Sequence, residues 1–319
     1  MRFLVTGADG FVGSHVVEAL LGSGRDEVVA FVHRLPVRWL SLDPSRPLRL
    51  VQGDIARMVD VEAAGEVDAI IHLAGIPSVA ACEREPELAR LANFQGAVNV
   101  LNLAAGQQPS PRVVLVSTAA LYGEPAYLPI DEDHPVEPKN QYMSTKLAAE
   151  ITAQAYHEQQ GVPVVIVRPF NIYGPRQSDY FVVPTIVRQC LEGVELRLGD
   201  GRPVRNFTYI TDAVDLLLRA AMAHGAPGNV VNLGSRPTLS IEQLARKVIE
   251  LTGSHLEPIF DIARYRAGDP TFLQMDPSLA ERLLAWSPKV PLEEGLRLTI
   301  EHMRATRRRE RGGGDVVWK

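Results

Sequence analysis

Short runs of consecutive apolar residues alternate with longer stretches in which apolar positions recur every three or four residues. The runs at 2–6, 28–32, 48–52, 67–73, 113–116 and 164–167 predict strands covered on both faces. The stretch opening at Ser14 puts Val16, Val17, Leu20 and Leu21 on one side, and 87–105 and 141–159 also read as helices, the first with Asn93 inside it. Strand–helix alternation of this kind predicts the α/β class with a doubly wound parallel sheet. Beyond Arg168 prolines and glycines become frequent, which predicts a smaller C-terminal lobe at the sheet's carboxyl edge. The boundaries read from this are 1–170 for the sheet domain, with returning segments near 205–235. The smaller lobe takes 171–204 and 236–303, and 304–319 forms a basic, Gly-rich tail, read as a frayed helix end.

The first turn of the pattern carries chemistry. Gly7-Ala8-Asp9-Gly10-Phe11-Val12-Gly13 stands between the first strand and the first helix. A helix N-terminus presents free N–H groups and partial positive charge, and glycines let backbone approach a pyrophosphate. Strand, glycine turn and helix together predict a dinucleotide-binding domain of the Rossmann type. The spacing is G-x-x-G-x-x-G rather than G-x-G-x-x-G. In such domains a carboxylate near the end of the second strand bonds the adenosine ribose. Here the strand ends in Val32-His33-Arg34, without one. His33 and Arg34 could meet a 2′-phosphate or could be solvated loop residues, so NAD and NADP both stay open.

Composition narrows the class. The chain has 319 residues, enough for two lobes or one large α/β domain, and 46% of them are hydrophobic. A net charge of −5 with both signs interspersed does not suggest nucleic-acid binding. The basic run at 304–311 is short and lacks interleaved aromatics. Cys82 and Cys190 stand far apart, which fits a reducing compartment and suggests no metal site. The first strand begins at residue 2 and no apolar run is long enough to span a bilayer, so a cytoplasmic protein without a signal peptide or membrane segment is expected.

The strongest chemical signal is Tyr142-Met143-Ser144-Thr145-Lys146. Positions i and i+4 share a helix face, so phenol and ammonium are neighbours, and the cation should lower the phenol's pKa. Tyr142 then becomes a candidate general base for a hydroxyl proton. Thr118, at the end of the fifth strand, could share that proton. His72 lies inside the fourth strand and is read as a packed core histidine.

Taken in order, the motifs resemble the extended short-chain dehydrogenase/reductases, and among them the nucleotide-sugar epimerases and dehydratases. They are Thr6-Gly-Ala-Asp-Gly-Phe-Val-Gly13, His72-Leu-Ala-Gly75, Ser117-Thr-Ala-Ala-Leu-Tyr-Gly123 and Tyr142-Met-Ser-Thr-Lys146, followed by Arg168-Pro-Phe-Asn-Ile-Tyr-Gly-Pro-Arg176, Gly199-Asp-Gly-Arg-Pro-Val-Arg-Asn-Phe207, Arg266-Ala-Gly-Asp269 and 286–295. The resemblance implies that Thr118, Tyr142 and Lys146 are catalytic, Lys146 also bonding the nicotinamide ribose. It implies that Gly7, Gly10 and Gly13 hold the cofactor pyrophosphate, that Asp54 and Ile55 flank the adenine, and that Leu73, Ala74 and Gly75 line the cofactor. Phe11, Val12 and Asn93 carry over as further cofactor-binding positions. Asn171, Arg205 and Arg266 would hold the diphosphate of a nucleotide-diphosphate sugar, with Ser78 and Thr118 also on the substrate. A homodimer is implied, paired through the helices at 87–105 and 141–159.

Two departures bear on the reaction. Asn206 stands where the family often has aspartate, and Ala119-Ala120 stand where its 4,6-dehydratases usually place Asp-Glu. Alanines cannot transfer protons, so dehydration is disfavoured. A non-catalytic cofactor-binding protein is disfavoured by the presence of Thr118, Tyr142 and Lys146 together. A 4-epimerase, working through a transient keto sugar, is the expectation, with an NADPH-dependent 4-ketoreductase as the alternative.

Overall fold

The computed structural model describes residues 1–40, 43, 45–261 and 270–311, with 309–311 through the backbone only. Its strands in chain order are β1 (Arg2–Thr6), β2 (Glu27–Val32), β3 (Leu48–Gln52), β4 (Ala69–His72), β5 (Arg112–Val116) and β6 (Val164–Pro169). There follow β7 (Asn171–Tyr173), β8 (Leu196–Leu198), β9 (Val204–Tyr209), β10 (Val230–Leu233), β11 (Thr238–Ser240) and β12 (Pro258–Phe260). Seven of them form one parallel sheet in the order β10-β6-β5-β4-β1-β2-β3. Strand order reverses between β1 and β4, the point at which a doubly wound sheet forms a crevice at its carboxyl ends.

The sheet is covered on both sides because alternate side chains of each strand point to opposite faces. Phe3 and Val5 of β1 join one core with Val16, Val17, Leu216 and Leu217. Leu4 between them joins the other core with Val100, Leu101, Ala149 and Ala153. This is why the strand segments read as unbroken apolar runs.

The smaller C-terminal lobe holds the three-stranded sheet β11-β9-β7, the pair β12-β8 and the helices Val182–Glu192, Ile241–Thr252 and Leu292–Arg311. Of the segments near 205–235, β10 and the helix Ile210–Met222 return to the main sheet, whereas β9 stays with β7 and β11. The final helix continues through Arg311 and so includes the basic run at 304–311; 312–319 lie outside the described residues. No helix among the described residues is long and apolar enough to cross a membrane.

The helix expected at 87–105 is continuous but contains a wider turn. The stretch 87–105 divides into Pro86–Ala89, a π-helical segment Arg90–Gln95 and Gly96–Ala105. The wider turn carries Asn93, which is 2% exposed. Such bulges are frequent at functional sites.

Candidate active site

The crevice floor is backbone. Gly7 has φ +65°, and a Cβ on it would lie 2.9 Å from the Ala74 nitrogen. A Cβ on Gly13 would run into the Gly7 carbonyl oxygen. The Gly10 N–H bonds that same carbonyl at 2.9 Å, so the loop is wound too tightly for a side chain at Gly7 or Gly13. Behind it stands Thr6, whose buried Oγ1 accepts the N–H groups of Leu73 and Ala74, each at 3.1 Å. The hydroxyl also meets His72 Nδ1 at 2.8 Å. With both lone pairs taken, its proton goes to a neutral imidazole. Burial agrees, holding His72 down to about 3, with the Lys146 charge adding to the effect. Phe11, Val12 and Gly13 open the first helix above this loop. A closely wound glycine loop at a helix N-terminus, with Leu73, Ala74 and Gly75 opposite, fits a dinucleotide pyrophosphate.

At the positions expected to flank the adenine, Asp54 turns its Oδ1 to the Ala56 N–H at 2.9 Å. Ile55 is buried, and its carbonyl takes the Asn99 amide at 2.9 Å. His33 and Arg34 are exposed in the loop after β2. Asn93 accepts the Ile76 N–H at 2.7 Å and donates to the Ile76 carbonyl and to Thr145 Oγ1, both at 3.3 Å. Its amide is committed to protein partners and fixes the loop after β4 against the helix Gln141–Gln160.

That helix starts because Asn140 caps it, accepting the Met143 N–H at 2.9 Å. Tyr142 thus sits in its first turn, with Lys146 one turn on. Thr118 ends the run from β5; its Oγ1 accepts the Ala120 N–H at 3.1 Å, leaving its proton for the Tyr142 phenol, to which it is hydrogen-bonded. The structure therefore brings Thr118, Tyr142 and Lys146 together. It reverses the expected shift, however. Burial pushes Tyr142 up to about 12, and the Thr118 hydrogen bond only partly opposes it. Lys146 is itself pulled down to about 8 by burial, and its ammonium is drawn to the Val116 carbonyl at 2.6 Å. Desolvation is the largest cause of both shifts, and neither group contributes to the other's.

Below Lys146 on the same helical stripe is Glu150, which sequence reading passed over. Arg168 of β6 grips it through Nε at 3.0 Å and Nη2 at 2.6 Å. Arg168 Nη1 donates to the Tyr122 hydroxyl at 3.1 Å, and that hydroxyl donates to Asn232 Oδ1 at 2.7 Å. Tyr122 closes the 3₁₀ turn that Thr118 opens. One buried network thus joins the Tyr142 helix, the Thr118 turn, β6 and β10. The i, i+4, i+8 spacing of Tyr142, Lys146 and Glu150 was its available sequence signal.

On the lobe side, Ser78 caps the helix Val79–Arg84 through the Ala81 N–H at 3.2 Å. Asn171 of β7 donates to the Asn206 carbonyl at 3.0 Å. Arg205 is buried, with Nη2 on the Pro270 carbonyl at 2.6 Å and Nη1 on the Val204 carbonyl at 2.9 Å. Arg266 lies outside the described residues. Asn206 Nδ2 donates to the Ser235 carbonyl at 2.9 Å, a bond that an aspartate would turn into repulsion. Among the described residues no group of three His, Cys, Asp or Glu side chains is placed to hold a metal ion.

Known proteins resemble this chain in sequence and fold. The family model for the NAD dependent epimerase/dehydratase family matches residues 3–234. The UDP-glucuronic acid decarboxylase 1 of Xenopus tropicalis is 34% identical over 316 residues, covering 95% of this chain and 72% of that protein. The human dTDP-D-glucose 4,6-dehydratase is 31% identical over 319 residues, covering 95% and 90%. The crystal structure of a UDP-glucuronic acid 4-epimerase from Bacillus cereus, in complex with UDP-glucuronic acid and NAD, superposes with a TM-score of 0.88 at 28% identity, covering 96% of this chain and all (100%) of that one.

Proposed function

The chain belongs to the NAD-dependent epimerase/dehydratase family, and from that premise we propose that it is an NAD(P)-dependent 4-epimerase of a nucleotide-diphosphate sugar. The coarser statement, an NAD(P)-binding enzyme that modifies nucleotide sugars, rests on the family and on relatives that act on such sugars. The finer one rests on a single observation, the turn after Thr118. Ala119 is buried, and Ala120 offers only its N–H, which Thr118 Oγ1 already holds. Removing water from C5 and C6 needs an acid and a base in reach, and reprotonating C5 after loss of carbon dioxide needs an acid. Neither alanine supplies one. Epimerisation at C4 asks only for what the site has.

When bound, the nicotinamide ring supplies a reversible hydride acceptor and a positive charge. Tyr142 takes the proton of the C4 hydroxyl and later returns it. Thr118 steers that hydroxyl and hydrogen-bonds the phenol. Lys146, tethered to Val116, supplies a cation on the cofactor side. Arg205 and Asn171, with Ser78 across the crevice and Arg266, are proposed to hold the diphosphate. A second reading, an NADPH-dependent 4-ketoreductase, is favoured by the exposed His33 and Arg34 where a ribose carboxylate is usual.

The test is incubation with UDP-hexoses in deuterated water without added cofactor. An epimer free of carbon-bound deuterium is expected, because the hydrogen leaves and rejoins the same carbon without meeting solvent. A 4-keto-6-deoxy or a decarboxylated product overturns the reading. Conversion only of a keto sugar, and only with NADPH, selects the reductase.

We also propose a homodimer. Leu88 is 48% exposed and Ile151 58% exposed, on helices that pack together beside the crevice. Large apolar side chains left in water at such a face favour a two-fold contact. Light scattering at micromolar concentration should give twice the mass of one chain; a monomer would reject it.

A further inference from the structure

The glycine loop contains an acid, and its carboxylate reaches outside the loop. Asp9 Oδ2 accepts the Arg38 N–H and Asp9 Oδ1 the Trp39 N–H, each at 2.7 Å. These two amides belong to the loop that follows β2, where adenosine ribose is met in this kind of domain. Two adjacent N–H groups converging on one acceptor form a small anion-binding concavity. The loop around it is rich in cations: Arg34 and His33 are exposed, and Arg38 lies with its Cζ 4.6 Å from the centre of the Trp39 ring. Arg176 reaches the same ring at 5.7 Å while bonding Ser14 and Glu18 of the first helix.

We propose that Asp9 sets the cofactor preference, selecting NAD over NADP by filling the loop's anion site with a carboxylate of its own. Its negative charge takes the place, in space, of the acid missing from the end of β2. A ribose hydroxyl beside it finds an acceptor, since each carboxylate oxygen keeps a second lone pair. A 2′-phosphate meets a like charge, and the two amides that could receive it are already occupied. Arg34 pulls the other way, so the selectivity is the difference between two opposed side chains. This inference rests on the dinucleotide reading of the crevice but not on the reaction proposed for it.

The experiment is calorimetric titration of NAD and NADP into the full chain and into Asp9→Asn, Asp9→Glu and Arg34→Ala. The unaltered protein should prefer NAD by on the order of tenfold or more, given like charges at near contact. Asp9→Asn keeps one acceptor oxygen and removes the charge; it should shrink that ratio mainly by tightening NADP. Asp9→Glu keeps the charge and should keep the preference. Arg34→Ala should weaken NADP selectively. A native preference for NADP overturns the proposal, as does an Asp9→Asn protein that loses both dinucleotides in proportion. Failure of both dinucleotides to bind the unaltered protein would instead defeat the cofactor reading, and this proposal with it.

Discussion

Tyr142→Phe is expected to lower turnover by about 10²–10⁴-fold, the span of a lost general acid–base group, while leaving dinucleotide affinity essentially unchanged. The phenol oxygen is the one removed atom, and its partner is the Thr118 hydroxyl rather than a group of the glycine floor. The ring stays to fill the first turn of its helix. Burial keeps the free protein's phenol protonated at neutral pH, with its pKa near 12. Ionisation therefore has to be assisted when substrate and cofactor are present, and a phenyl ring gives that assistance nothing to act on. Lys146→Ala should differ in kind, losing cofactor affinity as well as rate. Steady-state rates with the epimerisable sugar, beside calorimetric titration of NAD, separate the two. A Tyr142→Phe enzyme with a near-normal rate removes the tyrosine from the chemistry.

Arg168→Leu is expected to destabilise the fold by about 3–5 kcal/mol, the usual consequence of stranding one partner of a buried ion pair. Glu150 and Arg168 are 2% and 7% exposed at the side chain, and they meet at 2.6 Å. Burial opposes the charge on Arg168, yet the hydrogen bonds and charge of Glu150 outweigh it and raise the guanidinium's pKa above its ordinary value. Leucine would leave that carboxylate without its cation and the Tyr122 hydroxyl without its donor. The double variant Glu150→Leu/Arg168→Leu removes both charges and should recover a large part of the loss. Urea unfolding of the single and double variants measures this. Equal stability of Arg168→Leu and the unaltered chain would mean the pair contributes nothing to folding.

The sheet was legible because the covered middle of a strand must be apolar on both faces, and 3–5 of β1, 28–32 of β2 and 113–116 of β5 are. The glycine loop and the Tyr142/Lys146 pair were legible because both are local in sequence. What was not legible depends on distance along the chain or on burial. Asp9 meets its partners 29 and 30 residues on, and Glu150 meets Arg168 18 residues on. Neither carboxylate differs, as a letter, from a solvated one. The π-helical turn at 90–95 lies inside a longer helical stretch, and helical periodicity does not separate it from its neighbours. The direction of the Tyr142 shift was missed because helical spacing gives proximity to a cation but says nothing of the water both groups lose.

Thr6 has a consequence for how the crevice moves. The amide protons of Leu73 and Ala74 are held by one side-chain oxygen of β1 rather than by a ladder of backbone carbonyls. Solvent can exchange either proton only when the carboxyl ends of β1 and β4 part. Their deuterium uptake therefore clocks the opening of this seam as one event, and a ligand seated across the seam must slow both amides together.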